Sequence, residues 1–182
     1  MFVDEGFGLL DTAASNLNAL IYLNEDKAMA AARQVDMDRA AGKRLGALAG
    51  LPIVVKDNIN TKGMKTTGGT FSLRNFQPKQ NAPSLLKLVD AGAIILGKSN
   101  LHEWAFGITS TNLSDFGVVR NPYDPSRIPG GSSGGTAVAI AVGMVLHRHL
   151  AEGALQRRLV GSALDAQNFV IVALAHGRSG WC

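Results

Sequence analysis

Two short stretches carry side chains that could do chemistry. They are the run Gly130-Gly131-Ser132-Ser133-Gly134-Gly135 and a lysine, Lys56, at the end of the apolar segment Leu51-Pro-Ile-Val-Val55. In the run, glycines permit left-handed backbone and close approach, N–H groups at a helix start attract an anion or an oxyanion, and the serines place hydroxyls at the same spot. A flexible Ser/Gly linker has the same composition. A linker, however, has no reason to lead directly into Thr136-Ala-Val-Ala-Ile-Ala-Val142, small and apolar all round, which reads as a buried helix. No Gly-Lys-Ser/Thr closes the run, so it is not a nucleotide-phosphate loop. Gly131, Ser133 and Gly135 do satisfy the G-x-S-x-G of a nucleophile elbow, with Asp165 and His176 following as acid and base, so an α/β-hydrolase esterase is a competing reading. That elbow needs a strand before it, and Tyr123-Asp-Pro-Ser-Arg-Ile-Pro129, with two prolines, is unsuited to a central strand. Lys56, desolvated at a strand end, loses proton affinity and can serve as a neutral base to a hydroxyl. Taken alone, such a lysine is far more often solvated or paired with Asp57 than a base.

The elements that must position these residues follow from pattern. The apolar run Ala19 to Leu23 precedes an Ala-rich helix, Glu25 to Ala41, with Asn24 as N-cap, Glu25 and Asp26 at the positive end of its dipole and Gly42 at C′. Leu51 to Val55 is a β-branched buried strand. Asn81 caps a second helix with Pro83 in its first turn and Gly92 at its end, followed by a strand at Ala93 to Leu96. Lys98-Ser99-Asn100 is expected to open a further helix through Phe106. Strand, helix, strand, helix argues for an α/β architecture with neighbouring, largely parallel strands. Gly107 to Gly135 is long and polar, with Phe116, Val118, Val119, Tyr123 and Ile128 as apolar anchors, and reads as an ordered, site-forming loop.

The 182 residues make about one domain, 46% apolar and 18% charged, which excludes a disordered or collagen-like chain. The net charge of +4 divides into +2 for residues 1 to 144 and +2 for the rest, with no basic stripe interleaved with aromatics, so a nucleic-acid partner is not called for. The single cysteine, Cys182, forms no disulfide within the chain, and a reducing, cytoplasmic setting fits best. Met1 to Glu5 lacks the basic start of a leader, and the longest apolar runs fall far below the ~20 residues of a membrane span, so no membrane partner is expected. His102-Glu103 has Phe106 where a zinc protease needs its second histidine, and His147 and His149 read as solvated; no metal and no cofactor are called for.

Several spaced stretches carry a resemblance: Leu48-Ala-Gly-Leu-Pro-Ile-Val-Val-Lys-Asp-Asn-Ile59, Ala91-Gly-Ala-Ile-Ile-Leu-Gly-Lys-Ser-Asn100, Glu103-Trp-Ala-Phe-Gly107, Arg120-Asn-Pro-Tyr-Asp124 and Ile128-Pro-Gly-Gly-Ser-Ser-Gly-Gly135. Together they resemble the amidase signature family, over about residues 16 to 144. The resemblance implies the amidase signature fold, an α/β mixed β-sheet core surrounded by helices, here truncated to its N-terminal portion (residues 1–144). It implies hydrolysis of a carboxamide C–N bond to acid and ammonia by a Ser-Ser-Lys mechanism. Lys56 would be the base, Ser132 the bridging serine held by a cis peptide bond, and a further serine the nucleophile. Ser133 would support this network with Gly130, Gly131, Gly134 and Gly135, and Thr109, Ser110, Thr111 and Asn112 would border the substrate. Asp57 and Asn58 match positions around the cleft. Asn18-Ala-Leu-Ile-Tyr-Leu23 and Gly107-Ile-Thr-Ser-Thr-Asn112 look most like hydrolases of arylacetamides, such as indoleacetamide or mandelamide hydrolases, which implies a small, aryl-containing amide as substrate. The amidase component of glutamyl-tRNA amidotransferase, its A chain, shares the motifs and competes within the family.

The sequence departs from the family where the nucleophile is due. A Gly-Gly-Ser loop is expected about two dozen residues beyond Ser132, near Gln156, where the chain reads Ala154-Leu-Gln-Arg-Arg158. Ser162 is the nearest tail serine, but Val-Gly-Ser-Ala-Leu lacks the paired glycines. Lysine disappears after residue 144, and three of the four histidines lie beyond it. Residues 145–182 therefore read as a divergent tail not matching the family, explained by translation of a longer gene in another frame. Such a piece would lack strands to cover Ala93 to Leu96 and the Thr136 to Val142 helix, leaving apolar surface and a tendency to assemble, with a homo-oligomer as one outcome. A non-catalytic remnant or binding fragment that keeps the half-site is the second functional class; amide hydrolysis is the expectation for the lineage, and the inactive remnant for this chain, which lacks the nucleophile loop.

Overall fold

The computed structural model describes residues 17–110 and 116–145. Its elements in chain order are β1 (Leu20–Leu23), α1 (Glu25–Ala40), β2 (Pro52–Lys56), α2 (Pro83–Asp90), β3 (Ile94–Ser99) and α3 (Gly134–Ala141), with short 3₁₀ turns at Phe71–Leu73 and Glu103–Ala105. The three strands form one mixed sheet in the order β1-β3-β2, with β2 parallel and β1 antiparallel to β3. The expected strand at Ala93 to Leu96 thus becomes the central one. Its first half, Ile94 and Ile95, pairs with β2, and its second half, Gly97 to Ser99, is paired with β2 on one edge and β1 on the other.

Alternation along β2 sends its side chains to two cores. Val54 packs with Ile94 and Leu96 against Ala28 and Ala32 of α1 and Val138 and Ala139 of α3. Ile53 and Val55 pack on the other face with Leu85 of α2, Leu48, Leu51 and Ile59. On β3 the parity changes once. Ile95 pairs with Ile53 but Gly97 pairs with Val54, so Leu96 is an extra residue, a bulge. A Cβ on Gly97 would lie 2.2 Å from the Tyr22 carbonyl oxygen, so only glycine fits where β1 closes on the bulged strand. After the bulge Lys98 is in register with Val55, and Ser99 with Lys56.

Helices α1, α2 and α3 stop in the same way. The residue after the C-cap is a glycine at positive φ (Gly42, Gly92, Gly143), and it and its successor donate back to Arg39 and Asp38, to Val89 and Leu88, and to Ile140 and Ala139. That is the Schellman pattern, read correctly for Gly42 and Gly92 from the sequence.

Five local expectations are corrected. Asn24 precedes α1 but does not cap it; its side-chain amide donates to the Ile95 carbonyl at 3.0 Å and ties the helix start to β3. Asn81 does not cap α2, because its side-chain oxygen accepts from the Lys62 N–H at 2.7 Å, and Ala82 takes the cap position. Lys98 to Phe106 is not a helix. Lys98 and Ser99 complete β3, because pairing with Val55 and Lys56 satisfies their backbone, and a single 3₁₀ turn follows. Of the loop anchors, Val119 is fully buried, whereas Val118, Tyr123 and Ile128 are exposed. The helix α3 is buried on one side only, since Ala137 and Ala141 face outward.

Candidate active site

Lys56 and Ser132, 76 positions apart in sequence, meet in space. Lys56 Nζ donates to Ser132 Oγ at 2.7 Å. Lys56 is the last residue of β2, on the face that receives α3, and is 1% exposed. Burial pushes its pKa below the ordinary 10.5, because an ammonium loses its hydration while a neutral amine loses little. Ser132 comes immediately before the N-cap of α3, and the peptide bond between Gly131 and Ser132 is cis. The Ser132 carbonyl accepts from the His102 N–H at 2.9 Å, and the Gly135 N–H donates to the Asn100 carbonyl at 3.0 Å. These two bonds fasten the serine run to the chain that leaves β3.

The glycines allow this seating. A Cβ on Gly135 would lie 2.3 Å from the Ala19 oxygen and 2.5 Å from the Asn100 oxygen; one on Gly134 would lie 2.0 Å from Ser110 Oγ. Ser110, fully buried, donates its hydroxyl to the Gly130 carbonyl at 2.5 Å. That gives Ser110 a part in holding the loop. Thr109 beside it is half-buried, while Thr111 and Asn112 lie outside the described residues. Ser133 holds the N-cap position without a side-chain cap bond. Beneath the run, Ser99 Oγ and Thr136 Oγ1 are 2.7 Å apart and join β3 to α3.

Asp57 does not pair with Lys56. Its carboxylate sits 3.2 Å from Lys98 Nζ, with both side chains buried, and accepts from the N–H of Thr67 at 2.9 Å and, by a short bond, from the Thr67 hydroxyl. Lys98 also donates to the Ile59 carbonyl at 2.8 Å and to Thr66 Oγ1 at 2.9 Å. Burial lowers the Lys98 pKa, and Asp57 opposes that shift. Sequence reasoning passed over Lys98 because a lysine at a predicted helix start reads as solvated; its parity relative to Val55 was hidden by the bulge. An open cavity of about 340 Å³ lies beside Asp57, lined by Tyr22, Lys65, Thr67, Arg74 and Phe116, and does not include the Lys56–Ser132 pair.

The arrangement can move a proton. A neutral Lys56 amine has a lone pair within 2.7 Å of the Ser132 hydroxyl, close enough to take its proton and return it. A depressed lysine pKa also sets a pH dependence of stability. Between the lowered value and 10.5 the unfolded chain holds a proton that the folded chain does not, so stability rises with pH through that window. The difference in urea midpoint between the natural chain and Lys56→Met, followed from pH 6 to 10, is expected to shift in favour of the natural chain as pH rises. A flat difference would mean that Lys56 is ionised throughout.

Among the described residues no group of three or more His, Cys, Asp or Glu side chains could hold a metal, and no helix is long and apolar enough to cross a membrane. His147, His149, Gln156, Ser162, Asp165 and His176 lie outside the described residues.

Comparison with known proteins agrees with this layout. The A chain of glutamyl-tRNA(Gln) amidotransferase from Prochlorococcus marinus is 46% identical over 144 residues, which is 79% of this chain and 29% of that relative. Among solved structures, the native peptide amidase of Stenotrophomonas maltophilia superposes with a TM-score of 0.70 at 37% identity, covering 79% of this chain and 30% of that one. The corresponding glutamyl-tRNA(Gln) amidotransferase chain of Thermotoga maritima superposes at 0.66 with 32% identity, covering 80% and 29%. The chain therefore spans less than a third of the length of the curated relatives it matches. The Amidase family profile matches residues 7–149, most of the chain, and by that match and the shared fold this chain belongs to the Amidase family.

Proposed function

We propose that this chain carries the base half of a Ser-Ser-Lys site for hydrolysis of a carboxamide C–N bond to acid and ammonia. The observation that carries the reading is the 2.7 Å contact between a buried Lys56 amine and Ser132 Oγ, with the neighbouring carboxylate committed elsewhere. Lys56 takes the proton of Ser132, Ser132 takes that of a nucleophilic serine as it attacks the carbonyl, and the relay run backwards protonates the departing amine. Water then releases the acid. Gly130, Gly131, Gly134 and Gly135 let the backbone carry Ser132 to the lysine, and Ser133, Thr109, Thr111 and Asn112 belong to the cleft around it.

The substrate is a small carboxamide. The Asn18 to Leu23 and Gly107 to Asn112 segments favour an aryl amide; the names of the curated relatives favour the carboxamide of glutamine. Ammonia release from an arylacetamide and from glutamine, measured for the natural chain and Lys56→Met, tests the reading and separates the two.

A second reading is favoured by one observation: Ala154-Leu-Gln-Arg-Arg158 stands where a Gly-Gly-Ser nucleophile loop is due. In it, residues 1–144 are the N-terminal portion of an amidase domain, residues 145–182 are a divergent tail, and the half-site is kept without turnover. A folded chain that releases no ammonia from either amide supports this reading. Coding DNA around codons 140 to 160 that spells a Gly-Gly-Ser loop in another frame supports the frame explanation of the tail, and its absence from both other frames overturns it.

A further inference from the structure

We infer that Lys98 is a positioning residue for Lys56: by holding the Asp57 carboxylate on the opposite face of the sheet, it leaves Lys56 with no anionic partner. The inference rests on the base role proposed for Lys56 and extends it to a pair that does not touch Ser132. Lys56 and Asp57 are adjacent in sequence at the strand end, so an Asp57 carboxylate that nothing binds is the nearest anion to the lysine. Alternation at the strand end turns the two side chains to opposite faces, and Lys98 is already on the Asp57 face, in register with Val55. There the three ammonium protons of Lys98 meet three acceptors, Asp57 Oδ1, the Ile59 carbonyl and Thr66 Oγ1. Two donors from Thr67 complete the carboxylate. The Lys56 side chain has one hydrogen bond among the described residues, to Ser132. One buried lysine is thus provided for as a cation and the other as an amine, and the two are separated by the thickness of the sheet.

The ionisable residues on the elements around Lys56 are few. β2 is followed by Asp57, β3 brings Lys98, and the segment after it brings His102 and Glu103, with His102 Nδ1 placed 3.1 Å from the Glu103 carbonyl. The Ile128 to Ser133 stretch and α3 carry none. The charges that can move the Lys56 proton are therefore chiefly those of the pair, and they act in opposite directions. An unpaired Asp57 favours the ammonium of Lys56; an unpaired Lys98 disfavours it.

The test is the pH titration of the Lys56 side-chain ¹³Cε resonance in the full chain, assigned by its absence in Lys56→Met. Lys98→Met is expected to raise the Lys56 midpoint, and Asp57→Asn to lower it, each by on the order of one pH unit. The double variant, which removes both charges, is expected to return it to the natural value. Loosening of the fold alone would move all three the same way, and that result, or a midpoint unmoved by Asp57→Asn, overturns the inference. Lys98→Met strands a buried carboxylate; if it does not fold, Asp57→Asn and the double variant decide, since neither strands a carboxylate and Lys98 in Asp57→Asn keeps the Ile59 carbonyl and Thr66 Oγ1 as acceptors. A natural-chain midpoint at the ordinary 10.5 sinks the base reading of Lys56 itself, while the opposed shifts among variants are read separately.

Discussion

Lys56→Met is expected to lower ammonia release from a carboxamide by about 10²–10⁴-fold while leaving the chain folded, a range set by what a positioned general base contributes. Methionine has nearly the length of lysine and fills the same buried space, so the change removes the amine and little else. The stability effect should be small or favourable, from neutral to about 2 kcal/mol stabilising near pH 7, because a desolvated amine with one hydrogen bond gives way to an apolar group. The two readouts together discriminate. A variant that melts at the natural temperature and has lost its turnover marks Lys56 as part of the chemistry; one that keeps its turnover rules out the relay.

Gly135→Ala is expected to destabilise the chain by more than about 3 kcal/mol, as overpacking against backbone does at its upper end. The added Cβ would lie 2.3 Å from the Ala19 oxygen, 2.5 Å from the Asn100 oxygen and 2.6 Å from the Asn100 nitrogen. None of these is the free end of a side chain, so α3 itself must move off the sheet. Since Gly135 also donates to Asn100, that movement carries Ser132 away from Lys56. Gly130→Ala is the control. Its φ is +83° but nothing lies within 4 Å of the added methyl, so only the left-handed backbone is penalised, by about 1–2 kcal/mol. Urea midpoints of the two variants check the pair. A Gly135→Ala chain as stable as Gly130→Ala would mean that α3 is not seated as described.

Much of the fold was legible because its signals are local. A short continuous run of β-branched residues marked β2, alanines marked α1, and Gly42 and Gly92 marked helix ends, since only glycine accepts the left-handed turn there without a penalty. The misread positions were those where a local signal lost to a distant partner. Asn24 and Asn81 look like caps, yet each spends its side chain on a backbone group far away, Ile95 and Lys62. The Lys98-Ser99-Asn100 run looks like a helix start, yet the ladder with β2 claims it.

The site divides in the same way. The sequence by itself singled out the candidate residues, because the glycine-serine run and the lysine closing a buried strand sit among spaced stretches that resemble the amidase signature family. Which lysine stands free was decided only by the tertiary structure. Without the extra residue at Leu96, strict alternation would put Lys98 on the face of Lys56 and leave the Asp57 carboxylate without its lysine. With it, the parity of β3 shifts by one, Ser99 joins Lys56 beneath α3, and Lys98 crosses to Asp57. A bulge is a matter of pairing between strands about 40 residues apart, and no periodicity within one strand can show it.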